Sequence, residues 1–146
     1  WVWTEERNAH RIYTGCESTF VTNATYEPLT AIPNADGTGF TDVSDRFVFH
    51  GAADYPSWGA SIRVKVTLAD GSVISLAPGE TDATGQVAVN WDDGGSISVT
   101  VTQAAVRYGQ TCTAELIADW LWGDSGDRAI TPTSINRCTR TYSEGG

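Results

Sequence analysis

The stretch ASIRVKVTL at residues 60–68 decides the fold, because apolar and polar side chains alternate along it without a break. The apolar set is Ala60, Ile62, Val64, Val66 and Leu68. Successive side chains of a strand point to opposite faces of a sheet, so this set lines a core while the polar set meets water. The stretch therefore predicts a half-buried antiparallel strand.

A hairpin is predicted directly after this strand. Asp70-Gly71 is a strong two-residue turn signal, since both central positions tolerate a positive φ. Residues 73–77 then return as the partner strand, and a two-residue loop places Leu68 opposite Val73, apolar against apolar.

A second hairpin is predicted at 86–102, where two alternating arms flank a turn rich in glycine and aspartate. The apolar residues of its arms are Val87, Val89, Trp91, Ile97, Val99 and Val101. A two- or four-residue loop would place Trp91 opposite Ser96 and mix the faces, whereas a three-residue loop at 93–95 places Trp91 opposite Ile97. We therefore expect a three-residue loop with a left-handed glycine and a bulge, and we expect Trp91 in the core.

Further strands are predicted at 10–14, 16–22 and 46–50. Residues 27–45 and 123–136 are predicted to be irregular, since they contain prolines and glycines that interrupt regular structure.

Residues 113–122 allow two interpretations. Thr113 could cap a helix that ends at Gly123, with apolar residues at helical spacing. As a strand, the segment places Leu116, Trp120 and Trp122 on one face, and the all-β surroundings favour this interpretation, with Trp120 in the core.

These segments together predict an all-β chain: an antiparallel β-sandwich of immunoglobulin-like or jelly-roll type, with a closed β-barrel as the alternative. We expect 1–146 to be a single sandwich domain, with 1–8 as a possible extended N-terminal arm and 143–146 as a disordered tail. The Cys…Trp…Cys pattern of true immunoglobulin domains is not met, because Cys16 and Cys112 lie too far apart.

Three cysteines, Cys16, Cys112 and Cys138, are the disulfide candidates. An internal bridge leaves one thiol over, and the sequence does not choose among the three pairings. The remaining cysteine is expected to be a buried apolar residue, with a bridge between chains as the alternative.

The formal net charge of −9 argues against binding to nucleic acid or to an anionic membrane surface. No run approaches the roughly 20 apolar residues of a membrane helix. We expect no nucleic-acid partner, no membrane insertion, and a location outside the cell, on a cell surface or on a virion surface.

One segment resembles a catalytic loop. Gly123-Asp124-Ser125-Gly126-Asp127 is similar to the Gly-Asp-Ser-Gly-Gly nucleophile loop of chymotrypsin-like serine proteases. It departs from that loop because Asp127 replaces the last glycine, and because His10 comes too early to follow the strands that precede a catalytic histidine. We therefore expect no enzyme. The other histidine, His50, ends an apolar strand and is expected to hydrogen-bond within the sheet.

Calcium is the one cofactor that the sequence suggests, although turn formation by the same residue types is the favoured interpretation. Asn34 and Asp36 resemble the middle of a calcium loop, and Asp42 could supply a further carboxylate. Asp124 and Asp127 form a second candidate rich in oxygen ligands.

Six tryptophans and five tyrosines are many for this length. Trp58 and Tyr55 lie in a Pro/Gly-containing loop and are candidates for contact with a partner, as are Trp1 and Trp3 at the terminus.

The expected function is therefore that of a structural or assembly module of an extracellular surface, acting by self-association or by contact with another surface protein. A filament or pilus-like subunit, an adhesin domain and a virion coat or decoration protein all fit this expectation. The alternative is a secreted carbohydrate-binding module that binds a glycan through exposed aromatic residues.

Overall fold

A computed structural model describes residues 14–18, 23–51, 61–92, 95–123 and 126–143 of the chain. The described residues form nine strands: β1 (Thr14–Ser18), β2 (Asn23–Pro33), β3 (Gly39–His50), β4 (Ser61–Thr67), β5 (Val73–Leu76), β6 (Val87–Asp92), β7 (Ser96–Arg107), β8 (Thr111–Gly123) and β9 (Gly126–Thr141).

The strands form two antiparallel sheets, one ordered β1-β9-β8-β4-β5 and the other β2-β3-β7-β6. The prediction of an all-β sandwich is confirmed, and within the described ranges the sheets do not close into a barrel. The orders β2-β3-β7-β6 and β9-β8-β4-β5 are those of an immunoglobulin-like sandwich, with β1 added beyond β9. No helix in the described part of the chain is long and apolar enough to cross a membrane.

One core lies between the two sheets, as the alternation in residues 60–68 requires. Val64 and Val66 on β4 are fully buried, whereas Arg63 and Lys65 between them are exposed. The facing sheet contributes the aromatic side chains of Phe47 and Phe49, which follow the same period of two along β3.

The register of the first hairpin differs from the prediction. Val73 pairs with Thr67 and not with Leu68, and the loop has three residues, 69–71, since the N–H of Leu68 donates to the carbonyl of Ser72. Gly71 takes φ +91°, the left-handed conformation that closes such a loop. The shift of one position places Val73 on the outer face, where it is 56% exposed.

The register of the second hairpin is confirmed. Trp91 pairs with Ile97, and the flanking pairs also match, with Gly95 at φ +81° in the loop. The prediction that Trp91 lies in the core was wrong, because its side chain is 49% exposed while Ile97 is fully buried. Trp91 stands one residue from the end of β6, an edge strand, where a side chain has fewer neighbours than in the middle of a sheet.

Two segments that we predicted to be irregular are mostly strand. In 27–45 only residues 34–38 lie outside β2 and β3, and 126–136 belong to β9. The prolines fall where a sheet tolerates them: Pro28 and Pro33 lie on β2, an edge strand with register shifts between Pro28 and Ile32.

Other strand predictions have mixed outcomes. Residues 113–122 are a strand, as favoured over a helix, and 46–50 belong to β3. The predictions for 10–14 and 16–22 meet the described part only in β1, and the proposed arm at 1–8 lies outside the described residues.

Candidate functional site

A buried ion pair joins the two sheets. Asp45 of β3 lies on the apolar face between Val43 and Phe47, and it is fully buried. Its partner is Arg140 of β9, which is 1% exposed and donates from Nη1 to Oδ1 of Asp45. A buried charge is stable only when it is paired and hydrogen-bonded, so each of these residues requires the other.

Two tyrosines complete the environment of the carboxylate. The hydroxyl of Tyr26 donates to Oδ1 of Asp45 and that of Tyr142 donates to Oδ2, each at 2.5 Å. Burial raises the pKa of both phenols, and the negative charge of Asp45 raises it further. The guanidinium of Arg140 also lies 4.3 Å from the ring centroid of Tyr142, a cation–π contact.

The network continues from Tyr142 to the turn after β4. Nε2 of Gln103 donates to the Tyr142 hydroxyl at 3.0 Å, and the backbone N–H of Ala69 donates to Oε1 of Gln103 at 2.9 Å. Since both oxygens of Asp45 already accept hydrogen bonds, the carboxylate is engaged as a structural anchor. We name Tyr26, Asp45, Gln103, Arg140 and Tyr142 the buried polar cluster.

This cluster was not predicted from the sequence, although a signal for Asp45 was present. Asp45 falls two residues before Phe47 and four before Phe49, so the period of two already places it on the apolar face. Charged residues at core positions are almost always paired, so a buried Asp45 implies a buried cation from elsewhere in the chain. Nothing in the sequence singles out Arg140 as that cation.

Of the three disulfide pairings left open, the structure forms Cys16–Cys138. Cys112 is not part of a disulfide; it is fully buried, as expected for the remaining cysteine. Burial, followed by the charge of Asp45, raises the pKa of the Cys112 thiol to about 12. The burial of Cys112 disfavours the alternative, a bridge between chains through this thiol, while the chain is folded.

The first calcium candidate is a hairpin turn between β2 and β3. Oδ1 of Asn34 accepts the N–H of Thr38 at 3.0 Å, and Nδ2 of Asn34 contacts Oγ1 of Thr38 at 3.0 Å. Asp36 lies exposed within this turn, whereas Asp42 lies in β3 with φ +51°.

The second calcium candidate falls largely outside the described part. Asp124 and the side chain of Asp127 are not described, as is also true of Ser125 in the protease-like loop. Among the described residues, no group of three or more His, Cys, Asp or Glu side chains could hold a metal ion.

The aromatic contact candidates Trp1, Trp3, Tyr55 and Trp58 lie outside the described residues, as does the side chain of Trp120. Trp91, which we had assigned to the core, is the one tryptophan whose side chain the structure describes, and it is exposed. The expectation for His50 is confirmed, since its Nε2 lies 3.0 Å from Oγ1 of Thr25 on the neighbouring strand.

The large apolar side chains that are exposed in the described part share one property: they lie on edge strands. Leu29 and Ile32 are on β2, Val73 is on β5 and Trp91 is on β6. Each of these strands ends the order of its sheet. We call these four residues the apolar edge residues.

Comparison of the chain with protein-family models, with curated proteins and with solved structures found no significant match.

Proposed function

We propose that this chain is a non-catalytic contact module of an extracellular surface, a filament subunit, adhesin domain or virion coat component that binds a second copy or another surface protein. The observation that carries the proposal is the position of the apolar edge residues on β2, β5 and β6. Edge strands are where a second chain most readily joins a sheet, and exposed apolar side chains add to the contact.

The three edges differ in how a partner could use them. Pro28 and Pro33 lack a backbone N–H, so β2 offers the side chains of Leu29 and Ile32 more than a row of hydrogen bonds. The edge of β6 is partly covered, since the N–H of Gly79 donates to the carbonyl of Val89 at 2.7 Å. Contact at β6 therefore centres on Trp91, beyond the covered part.

One further observation supports a location outside the cell, and another concerns the partner. The Cys16–Cys138 disulfide is typical of proteins from oxidising compartments. The formal net charge of −9 keeps such a chain soluble and favours a partner that presents basic groups.

Sedimentation velocity over a range of concentrations, alone and with candidate surface proteins, tests the proposal. We expect association that the double variant Leu29→Ser/Ile32→Ser or the variant Trp91→Ser reduces by at least about tenfold, because each removes apolar contact area. Ala105→Ser is the control, since Ala105 is exposed on the central strand β7. Association that both edge variants leave unchanged would refute the proposal.

The second candidate function is a secreted carbohydrate-binding module, and the exposure of Trp91 favours it. An indole that is 49% exposed offers a flat apolar face on which a sugar ring can stack. A glycan array probed with wild type and with Trp91→Ala distinguishes the two functions. Glycan binding that is lost in the variant supports the carbohydrate-binding module. If wild type binds no glycan, this candidate is rejected and the contact module is the remaining proposal.

A further inference from the structure

Among the described strands, β1 is bound to the rest of its sheet on one side only. It ends the order β1-β9-β8-β4-β5, and it pairs with β9 over five positions, from Thr14 opposite Arg140 to Ser18 opposite Asn136. The central pair of this ladder is Cys16 opposite Cys138. The disulfide thus joins a short edge strand to its neighbour at the middle of their contact.

The two sulfur-bearing residues differ in access. Cys16 is exposed, whereas Cys138 is fully buried. We expect a thiol in solution to attack the sulfur of Cys16, because Cys16 is the more exposed residue of the pair. The external thiolate bonds to that sulfur and Cys138 leaves as a thiol; a second external thiol then releases Cys16, giving two protein thiols and one external disulfide.

After reduction, the described contacts of β1 are the backbone ladder of a five-residue edge strand on β9 and a smaller contact with β2. A two-stranded contact of this length is weak by itself, and the bond that is lost spans 122 residues of sequence. When β1 leaves, the outer N–H and C=O groups of β9 lose their partners. An unpaired edge of this kind accepts another strand.

We propose that Cys16–Cys138 is a redox latch, and that its opening lets β1 pair with β9 of a second copy of this chain. The β1 segment is the strand that fits this edge, because it already pairs with β9 there, in register, over five positions. Exchange of an identical element between copies is a common route to dimers, and it continues into open chains when the exchange is not reciprocal. Reoxidation by a disulfide in solution then bonds Cys16 of one copy to Cys138 of the next.

The inference goes beyond the proposed function and does not rest on it. The exchange takes place at β9, at the side that β1 normally covers. The contact module instead uses the apolar edge residues on β2, β5 and β6. Either can therefore fail while the other stands.

Two complementary variants test the latch in the full-length chain. Cys16→Ser keeps Cys138, and Cys138→Ser keeps Cys16; both also carry Cys112→Ala, so that no other thiol remains. Neither variant can close the latch within its own chain. In a mixture, a Cys16–Cys138 bond can form only when β1 of one variant lies on β9 of the other.

The mixture is equilibrated, oxidised with a small-molecule disulfide and separated on a non-reducing gel, and the linked peptides are identified by mass spectrometry. We expect the heterodimer to exceed either homodimer by at least about tenfold, since only that pair of cysteines lies in register. Circular dichroism of each variant alone establishes that the sheets persist. If a variant fails to fold, wild type that is reduced and reoxidised at high and low concentration replaces it, with the interchain Cys16–Cys138 peptide expected at high concentration only.

A folded mixture that yields no heterodimer, or homodimers in equal amount, overturns the latch. So does reoxidised wild type that closes only within its own chain at every concentration. If the edge variants lose association but no β1 exchange is detected, the contact module is supported and the redox latch is rejected.

Discussion

Arg140 on β9 and Asp45 on β3 form a buried ion pair that ties the two sheets together, with side chains 2% and 0% exposed. The next residue along β3, Arg46, forms an ion pair of a different kind. Its Nη2 lies 3.7 Å from Oδ2 of Asp92, with the two side chains 40% and 34% exposed. Each pair has one member on β3, so replacing Arg140 tests the buried pair and replacing Arg46 serves as the control.

Arg140→Met should lower the free energy of unfolding by about 3–5 kcal/mol, because it leaves the charge of Asp45 buried without its cation. Arg46→Met should change it by at most about 1 kcal/mol, since water screens an exposed pair. Urea denaturation of the two variants measures the difference. Equal losses for both would show that the buried pair is not the anchor that its geometry indicates.

Stability should fall at alkaline pH because of Tyr26 and Tyr142. Their pKa values are raised by burial, and then by neighbouring negative charge. A group whose pKa is higher in the folded state contributes stability below its unfolded pKa, near 10, and that contribution is lost as the pH rises towards the folded value. Unfolding should therefore accompany ionisation of these phenols above about pH 10.

Absorbance at 295 nm, followed together with circular dichroism during an alkaline titration, checks this expectation. Tyr142→Phe should make the loss of stability with pH less steep, and it should cost about 1–3 kcal/mol at neutral pH because Oδ2 of Asp45 loses a donor. Full ionisation of all five tyrosines while the sheets persist would contradict the prediction.

The thiol of Cys112 should be inert while the chain is folded. It is fully buried, and its pKa is raised to about 12, first by burial and then by the charge of Asp45. At pH 8 such a pKa lowers the thiolate fraction by about a thousandfold relative to an ordinary cysteine. Ellman's reagent should therefore detect no thiol in the native oxidised chain and one per chain in guanidinium. Rapid reaction of the native chain would show that Cys112 is accessible.

Gly39 should not tolerate a side chain. A Cβ at this position would lie 2.0 Å from the carbonyl oxygen of Val106 on the neighbouring strand, so β3 and β7 would have to separate. We expect Gly39→Ala to cost about 3 kcal/mol. Gly71→Ala is the matched control: its Cβ meets nothing within 4 Å, and only the positive φ of +91° opposes it, at about 1 kcal/mol.

Thermal unfolding of the two variants measures this difference. A lower midpoint for Gly71→Ala than for Gly39→Ala would show that backbone conformation, and not the close approach of β3 to β7, limits these positions.

Local patterns predicted those parts of the fold that depend on neighbours in sequence. The strand at β4 and the whole register of the β6–β7 hairpin followed from alternation and from loop length, because pairing within a hairpin is determined by its own turn. The β4–β5 hairpin shows the limit of this reasoning. Asp70-Gly71 fits both a two-residue and a three-residue loop, and the one-position difference reverses the face of Val73.

The candidate site could be predicted only in part, since exposure and pairing depend on distant residues. Trp91 has the sequence pattern of a core residue, yet it is exposed, and its position near the end of the edge strand β6 depends on which strands pair. Alternation along β3 places Asp45 on the apolar face, but no local rule distinguishes Arg140 from the other basic residues as its partner.

The sequence by itself determined the all-β class, the alternating core faces, the hairpin at β6–β7 and the small number of possible disulfides. Only the tertiary structure decided that Cys16 bonds to Cys138, that Asp45 meets Arg140, and which strands form the edges of the two sheets. The physical reason is distance along the chain: alternation records which face of a strand is apolar, but not which strand, 95 or 122 residues away, will lie against it.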